Sequence, residues 1–322
     1  MRNSHLRAML GGLIFMSMCA GAAHAQQYRV DVTAIVDHPA LDASRKGVTD
    51  ELAAAGYMEG KNLHLEYQSA QGNNATAVQI ARKFIGDRPN VIVAVSTPSA
   101  QAVVAATRDI PVVFSAVTDP VDAKLVKSWK ASGGNVTGVS DMSPLDKHID
   151  LIKKIVPGVK RIGVVYSPGE ANSVVMVEAL KAATKGTGLS VVDAAAPRTV
   201  DVASAAQSLV GKVDVFYAPT DNNVTSAFEG YAKVANQAKI PLIAADTDVV
   251  KRGAVAALGL NYYDLGRQTG KQVVRILKGE SPGAIASETS STFELNLSRS
   301  AAQKQGVVFS DELLKSAQKV YD

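Results

Sequence analysis

The sequence predicts an α/β fold of two similar lobes, each built around a parallel β-sheet. Segments typical of strands and helices alternate, beginning with strand 28–36, a helix from about Ala40 to Ala55 and strand 62–68. A strand, a helix and a second strand in succession form a right-handed βαβ unit, so this alternation indicates parallel strands. The same reasoning predicts strands 90–96 and 110–117, with a helix from Pro98 to about Thr107.

The second observation behind this prediction is that the pattern occurs twice. Residues 159–196 again contain a strand, a loop, a helix that ends at a glycine, and a second strand. Residues 213–246 repeat the strand–helix–strand pattern of the second half of the first lobe. Ile110-Pro111 and Ile240-Pro241 open equivalent strands, where proline is tolerated because the first N–H of a strand needs no partner. Repetition on this scale indicates two lobes of similar build.

We expect the chain to pass between these lobes several times. The helix at 262–280 should return to the first lobe, and the strand at 292–298 should cross back. The predicted first lobe therefore comprises residues 26–141 and about 262–283, and the second comprises residues 142–261 and about 284–322. Two lobes joined by several crossings have a hinge and can close on a ligand.

Residues 1–25 have the pattern of a cleaved signal peptide. Arg2 and Arg7 precede a short apolar stretch, and Ala-His-Ala at 23–25 fits a cleavage site before Gln26. A membrane anchor is disfavoured because the apolar stretch is shorter than the roughly 20 residues that span a bilayer. A lipoprotein attached at Cys19 is disfavoured because Met18 stands where such signals have a small residue.

The composition of the remaining chain excludes several classes of function. Cys19 is the only cysteine, so a mature chain would have neither a disulfide nor a thiol nucleophile. Removing Arg2 and Arg7 from the 34 basic residues leaves 32, against 30 acidic residues, which gives no electrostatic basis for binding nucleic acid or a membrane surface. The nucleophile elbow and the glycine-rich nucleotide motifs are absent.

The sequence also indicates no metal ion and no cofactor. His38, His64 and His148 are the histidines outside the signal peptide, and they are scattered too widely for a histidine-rich metal site. An acid–base pair of Glu170 and Asp246 is conceivable, but nothing in the sequence sets their separation. An enzyme on a two-lobed scaffold therefore stays an alternative without a motif to support it.

Polar loops follow the predicted strands at matching positions in both lobes. Ligands of open α/β sheets bind at the carboxyl ends of the strands. Proline at 39, 98 and 120 suits the first position of a helix, and a helix N-terminus suits a carboxylate or phosphate. Ordinary helix capping also explains any one loop, but six of them favour a shared cleft. The loops are 37–39, 96–99, 118–120, 167–173, 219–222 and 245–248.

Seven motifs in order along the chain resemble the bacterial ABC-transporter substrate-binding family that includes tryptophan- and phenylalanine-binding members. They are HPALDA (38–43), GYMEGKNLHLEY (56–67), FSAVTDPVDAKLV (114–126), GGNVTGVSD (133–141), YSPGEANS (166–173), PTDNNV (219–224) and YYDLGRQTG (262–270). The resemblance implies a type I periplasmic-binding fold: two Rossmann-like lobes, three crossovers and a ligand in the cleft. It also implies delivery of ligand to an ABC permease driven by its ATPase. Without a lipoprotein signal, we expect a monomeric, soluble periplasmic protein.

The resemblance also implies roles for individual residues around an amino acid-like ligand, with aromatic and branched apolar side chains as candidates. First-lobe hydroxyl and N–H groups at 96–99 and 115–119 would hold the ligand carboxylate. Asp246, with Asp221 as second choice, would anchor the ammonium group, and His38, Tyr166 and Tyr217 would pack against its side chain. The predicted ligand-binding residues are His38, Ser96, Thr97, Ser99, Ser115, Thr118, Asp119, Tyr166, Glu170, Asn172, Ser173, Tyr217, Thr220, Asp221 and Asp246.

Two other uses of the same fold stay open at this point. An exported sensory module could present this fold to a chemoreceptor or a sensor kinase, and the sequence alone does not separate that role from transport. A sugar-responsive repressor has the same lobes, but here a signal peptide stands where its DNA-binding headpiece would be.

Overall fold

The computed structural model describes residues 27–131, 133–290 and 292–322 and contains two α/β lobes, each organised around its own sheet. This architecture confirms the predicted fold class. The predicted signal peptide lies outside the described residues. In the described part of the chain, no helix combines the length and the apolar character that a membrane span requires.

Strands and helices alternate through the first lobe, close to the predicted positions. The sequence pattern did not predict the fifth strand, because Gly138 interrupts a short and only partly apolar segment. In chain order the elements are β1 (Tyr28–Ala34), α1 (Pro39–Ala54), β2 (Leu63–Ser69), α2 (Asn74–Asp87), β3 (Val91–Val95), α3 (Thr97–Ala106), β4 (Val112–Ser115) and β5 (Val136–Ser140).

The second lobe repeats this alternation, as the internal similarity of the sequence predicted. Its loops after β6 and β8 are the predicted polar segments 167–173 and 219–222. The elements are α4 (Leu145–Ile155), β6 (Arg161–Tyr166), α5 (Ala171–Thr184), β7 (Ser190–Ala195), α6 (Val202–Leu209), β8 (Val215–Ala218), α7 (Asn222–Ser226), α8 (Phe228–Ala238), β9 (Leu242–Ala244) and β10 (Ala256–Leu260).

The remaining chain visits both lobes. The strand Glu288–Thr289 pairs with β5 in the first sheet, so the last crossing lies beyond the predicted position near residue 284. A strand of two residues is too short to leave a recognisable pattern in the sequence. The elements are α9 (Tyr262–Leu277), β11 (Glu288–Thr289), β12 (Phe293–Ser298), α10 (Arg299–Lys304), α11 (Asp311–Ser316) and β13 (Lys319–Tyr321).

Both sheets reverse their strand order at equivalent places. The first sheet has the order β11-β5-β4-β3-β1-β2 and is parallel throughout. The second has the order β13-β12-β10-β9-β8-β6-β7, in which β12 runs antiparallel to β10. Reversal between β1 and β3, and between β6 and β8, opens a crevice at the carboxyl end of each sheet.

Helix α9 belongs structurally to the first lobe although it follows the second in sequence. Its apolar side chains, including Leu265 and Val273, join the same buried cluster as the residues of β1 and β3. The central strand β3 is buried along its whole length because helices cover both faces of the sheet. The second lobe has buried apolar clusters of its own.

Glycines allow α9 to pack closely against α1. A Cβ atom at Gly47 would lie 2.2 Å from the carbonyl oxygen of Tyr263, and one at Gly266 would lie 2.0 Å from that of Ser44. Real Cβ atoms do not approach backbone oxygens this closely, so these positions require glycine. The close contact anchors the returning helix next to the crossover at Asn261.

We expect the substitution Gly47→Ala to destabilise the first lobe by about 1–3 kcal/mol, because the added methyl group would push two helix backbones apart. Chemical denaturation of the purified protein would measure this change. The matched control is Gly86→Ala in α2, where the added methyl meets open space. That change should stabilise the protein by about 0.5–1 kcal/mol. Equal effects of the two substitutions would contradict the packing argument.

Candidate ligand-binding site

A cavity lies between the lobes, at the points where both sheets reverse their strand order. In this closed arrangement its free volume is about 20 Å³, room for about one water molecule and far below the roughly 300–1,000 Å³ of sites that hold small molecules. The lobes must therefore separate further to admit a ligand. Loops after β1 and β3 line it from the first lobe, and loops after β6 and β8 line it from the second. The lining residues are His38, Leu41, Ser96, Ala116, Asp141, Asn172, Thr220, Asp221, Asn222, Thr225, Asp246 and Tyr262.

A wider groove on the first lobe is the alternative place for a ligand. It lies between α3 and the segment 121–136 and shares no lining residue with the inter-lobe cavity. Its ionisable lining groups are the exposed side chains Arg108, Lys124 and Lys127. The inter-lobe cavity instead collects buried polar groups from the strand ends of both lobes, so we place the functional site there.

Direct hydrogen bonds join the lobes across the cleft. The Ser96 hydroxyl donates to Oδ1 of Asn222 (3.2 Å) and accepts from its Nδ2 (3.0 Å). The hydroxyl groups of Thr118 and Thr220 lie 3.4 Å apart. Each pair joins one residue of the first lobe to one residue of the second. The structure therefore shows the closed arrangement of the lobes.

The backbone is strained on the first-lobe side of the cavity. Ser96 has φ 76° and ψ 153°, a conformation that is normally restricted to glycine, and Ala116 has φ 55°. These residues directly follow β3 and β4. Backbone strain of this kind costs about 1–3 kcal/mol at each residue and is concentrated at functional sites, where the surrounding structure holds it in place.

The N-terminus of α3 supplies hydrogen-bond donors beside Ser96. The hydroxyl groups of Thr97 and Ser99 are buried and have no hydrogen-bond partner among the described residues. The first N–H groups of any helix also lack partners within the helix, and they carry the positive end of its dipole. This end of α3 therefore has the chemistry to hold an anionic group.

Asp246 is the least compensated carboxylate that lines the cavity. It is 5 % exposed, and its Oδ1 accepts one hydrogen bond, from the backbone N–H of Asp248 at 2.8 Å. It forms no ion pair within the described ranges. Burial, and then the nearby charge of Asp248, raise the pKa of Asp246 to about 7. A ligand cation beside it would offset this desolvation.

Asp221 lines the same cavity, but its oxygens already have protein partners. It accepts from the backbone N–H and the hydroxyl of Ser167, at 2.6 and 2.9 Å, and from the hydroxyl of Ser173. The N–H of Val224 completes the set at 2.9 Å and makes Asp221 the cap of α7. Asp221 therefore fixes the loops after β6 and β8, which makes it a poorer amine anchor than Asp246.

Asp141 and Tyr262 are cavity residues that the sequence analysis missed. The carboxylate of Asp141 accepts from the Tyr262 hydroxyl at 2.9 Å and from Thr118 Oγ1 at 3.0 Å. Burial raises the pKa of Asp141. Both residues lie where the chain crosses between the lobes, so their sequence positions indicated only domain boundaries.

Glu170 and two asparagines form a polar cluster on the second-lobe side. The carboxylate of Glu170 accepts from the side-chain amides of Asn172 (3.2 Å) and Asn222 (2.5 Å). Burial, and then the neighbouring Asp221, raise the pKa of Glu170 to about 7. Oδ1 of Asn172, which also lines the cavity, is buried without a partner among the described residues and is free to accept from a ligand.

The structure places other predicted residues away from the cavity. Tyr217 was expected to pack against the ligand, but it is fully buried in the second-lobe core, where its hydroxyl meets His148 Nδ1 at 2.5 Å. Its side chain points to a face of β8 that helices cover, which its apolar context did not reveal. Tyr166 likewise packs against that core.

The hydroxyl and carboxylate groups after β4 have structural partners. Ser115 bridges Ser44 at 2.9 Å and Thr269 at 2.8 Å, which ties α1 and α9 to the strand. Asp119 caps its own turn by accepting from the N–H groups of Val121 and Asp122. Both residues therefore support the loop, and neither lines the cavity.

The missed residues also include an apolar group. Leu41 and Tyr262 line the first-lobe side together with Ala116, which lies in the predicted segment 115–119. The polar residues Asn222 and Thr225, which were also missed, line the second-lobe side. Leu41 lies in the first turn of α1, directly after the N-cap residue His38. In the sequence, a leucine in the first turn of a helix cannot be distinguished from a core residue. Only the position of α1 beside the cavity shows that Leu41 lines the site.

Comparison with known proteins places the chain in a family. Residues 29–321 match the family model described as ABC transporter substrate binding protein. The chain is 40 % identical over 302 residues to a tyrosine-binding protein of Clostridioides difficile, covering 91 % of this chain and 88 % of that protein.

Two solved structures show which arrangement of the lobes this chain resembles. An ABC domain from Streptococcus pneumonia in complex with L-Trp is 34 % identical with a TM-score of 0.88, covering 92 % of this chain and all of that one. A ligand-free, open substrate binding protein from Clostridium difficile is 40 % identical, yet its TM-score is 0.70, with 91 % and 99 % covered. Greater agreement with the complex, despite lower identity, fits the closed lobes. The chain belongs to the ABC transporter substrate-binding protein family.

Proposed function

We propose that this protein is an extracytoplasmic substrate-binding protein that holds an aromatic L-amino acid between its lobes and delivers it to an ABC permease with its ATPase. Family membership supports a binding role rather than catalysis. The relatives named for tyrosine and for L-Trp support an aromatic amino acid as ligand. The alternative role as a sensory module has no observation that favours it over transport.

The observation that carries this proposal is the buried carboxylate of Asp246, which lines the inter-lobe cavity without a cationic partner among the described residues. A charged carboxylate loses its hydration when the lobes close, and one backbone N–H compensates only part of that loss. The ammonium group of an amino acid is a cation of the right size to restore the balance. Oδ1 of Asn172 offers it a second acceptor.

The first lobe has the complementary groups for the other charge of an amino acid. The start of α3, next to the cavity-lining Ser96, presents N–H groups of a helix N-terminus and the unpartnered hydroxyl groups of Thr97 and Ser99, which suits the ligand carboxylate. The two ends of the ligand would then contact different lobes. Binding would favour the closed state, because only that state offers both contacts at once.

The cellular setting of this function is part of the proposal. The signal-peptide pattern at residues 1–25 supports export to the periplasm, where we expect a soluble, monomeric protein. Residues 26–141 with 262–289 would move as one lobe, and residues 142–261 with 292–322 as the other. Intact-mass analysis of protein recovered from the periplasm would test this setting, with Gln26 expected as the first residue.

We expect the substitution Asp246→Asn to weaken binding of L-tyrosine and L-tryptophan by on the order of a hundredfold, or about 2–4 kcal/mol. Asparagine keeps the shape and the acceptor for the Asp248 N–H but removes the charge that pairs with the ammonium group. Titration calorimetry on the purified protein would measure the loss. The control is Asp248→Asn, which removes an equal charge from an exposed side chain two residues away and should change affinity little. Wild-type affinity in Asp246→Asn would contradict the assigned amine site.

We also expect affinity to fall as pH is lowered through about 7. The ligand ammonium binds the ionised form of Asp246, whose pKa in the ligand-free closed protein is raised to about 7. Below this pH the carboxyl must first lose a proton, so affinity should fall by up to about tenfold per pH unit. Calorimetry in buffers of different ionisation enthalpy would detect the released proton. The slope should be reduced in Asp246→Asn, and an unchanged slope would assign it to Glu170 instead.

A further inference from the structure

A buried imidazole with an unused nitrogen lies on the first-lobe side of the cavity. His38 is 9 % exposed, lines the cavity and caps α1 through its backbone without a side-chain capping bond. Its Nδ1 is buried and has no hydrogen-bond partner in the described part of the chain. Buried polar groups normally have partners, so an orphaned nitrogen in a ligand cavity points to a partner that arrives with the ligand.

The imidazole is neutral at physiological pH. Burial lowers the pKa of His38 to about 4, although a hydrogen bond with the Asn222 side chain opposes this shift. A neutral imidazole carries one N–H group and one nitrogen with a free lone pair. The role of Nδ1 therefore depends on which nitrogen carries the hydrogen.

The orientation of Asn222 favours one tautomer of His38. Nδ2 of Asn222 donates to the carboxylate of Glu170 at 2.5 Å and to Ser96 Oγ at 3.0 Å. Its Oδ1, which already accepts from Ser96 Oγ at 3.2 Å, is therefore the Asn222 atom left to face the imidazole, and Oδ1 can only accept. In the tautomer that complements Oδ1, the single N–H of His38 lies on Nε2, and the buried, unpartnered Nδ1 is left as an acceptor that requires a donor.

The ligand groups assigned above leave few donors for this nitrogen. An acceptor repels the ligand carboxylate, and the ammonium group faces Asp246 and Asn172 in the other lobe. Leu41 and Ala116, which line the same lobe, are apolar. The hydroxyl groups of Ser96 and Tyr262 on that lobe already donate to Asn222 and Asp141. The remaining donor is one carried by the ligand side chain.

We propose that His38 determines specificity by accepting a hydrogen bond from the donor on an aromatic side chain, a phenol O–H or an indole N–H, and so selects tyrosine or tryptophan over phenylalanine. This inference rests on the proposed function. Phenylalanine fills similar space but would leave the buried nitrogen unpaired. Leaving one buried polar group unpaired lowers affinity by roughly 10- to 100-fold, and sites built to bond such a group reject analogues that lack it.

The test compares calorimetric affinities for L-tyrosine, L-tryptophan and L-phenylalanine in four proteins: wild type, His38→Leu, His38→Gln and Leu41→Ala. Wild type should bind tyrosine or tryptophan roughly 10- to 100-fold more tightly than phenylalanine. His38→Leu removes the acceptor and should bring the three affinities together, mainly by weakening the ligands with a donor. His38→Gln keeps an acceptor oxygen and should restore part of the preference.

Leu41→Ala separates hydrogen bonding from apolar contact. It should weaken all three ligands by similar factors and leave their ratio unchanged, because it removes contact area without removing an acceptor. Retained phenylalanine binding in His38→Leu would show that this variant is folded.

The possible failures distinguish this inference from the proposed function. If wild type binds none of the three amino acids, the proposed function is wrong and the inference falls with it. If wild type binds all three equally, if His38→Leu weakens all three equally, or if it keeps the preference, the protein is an amino acid-binding protein and the role of His38 is wrong.

Discussion

Closing the two lobes takes acidic side chains out of water, and the rest of the site is arranged around that desolvation. None of the described cavity-lining residues is a lysine or an arginine. Asp221 is compensated by four donors, and Asp141 by two hydroxyl groups. Asp246 has one backbone N–H. The cationic ligand group that we propose beside Asp246 would offset this desolvation, and ligand charge would then favour closure of the lobes.

The same closure creates polar links that do not involve a ligand. Ser96 and Asn222 exchange hydrogen bonds between the lobes, and Glu170 holds the amide of Asn222 in position. These contacts lower the free energy of the closed state, whereas the strained backbone of Ser96 raises the free energy of the lobe that carries it. Asn222 also lines the cavity together with His38. One asparagine thus connects the lobe interface with the nitrogen that we propose reads the ligand side chain.

The spacing of apolar, glycine and proline residues along the chain predicts the helices and strands, because these elements depend on residues that are close in sequence. Periodicity predicted α1 and β3 within a residue or two, and glycine and proline located their ends. It could not predict β11, which exists because β5 offers it a free edge. Tyr217 and Leu41 show the same limit, because burial toward the core or the cavity depends on which elements pack beside them.

The sequence by itself determined two α/β lobes, the family and the loops that reach the cavity, because strand ends and polar loops are local properties. Only the tertiary structure decided which carboxylate lacks compensation. Asp221 and Asp246 are both aspartates after second-lobe strands, and they differ in how many donors surround them. That number depends on Ser167 and Ser173, whose groups meet Asp221 only after the sheet has brought β6 and β8 together.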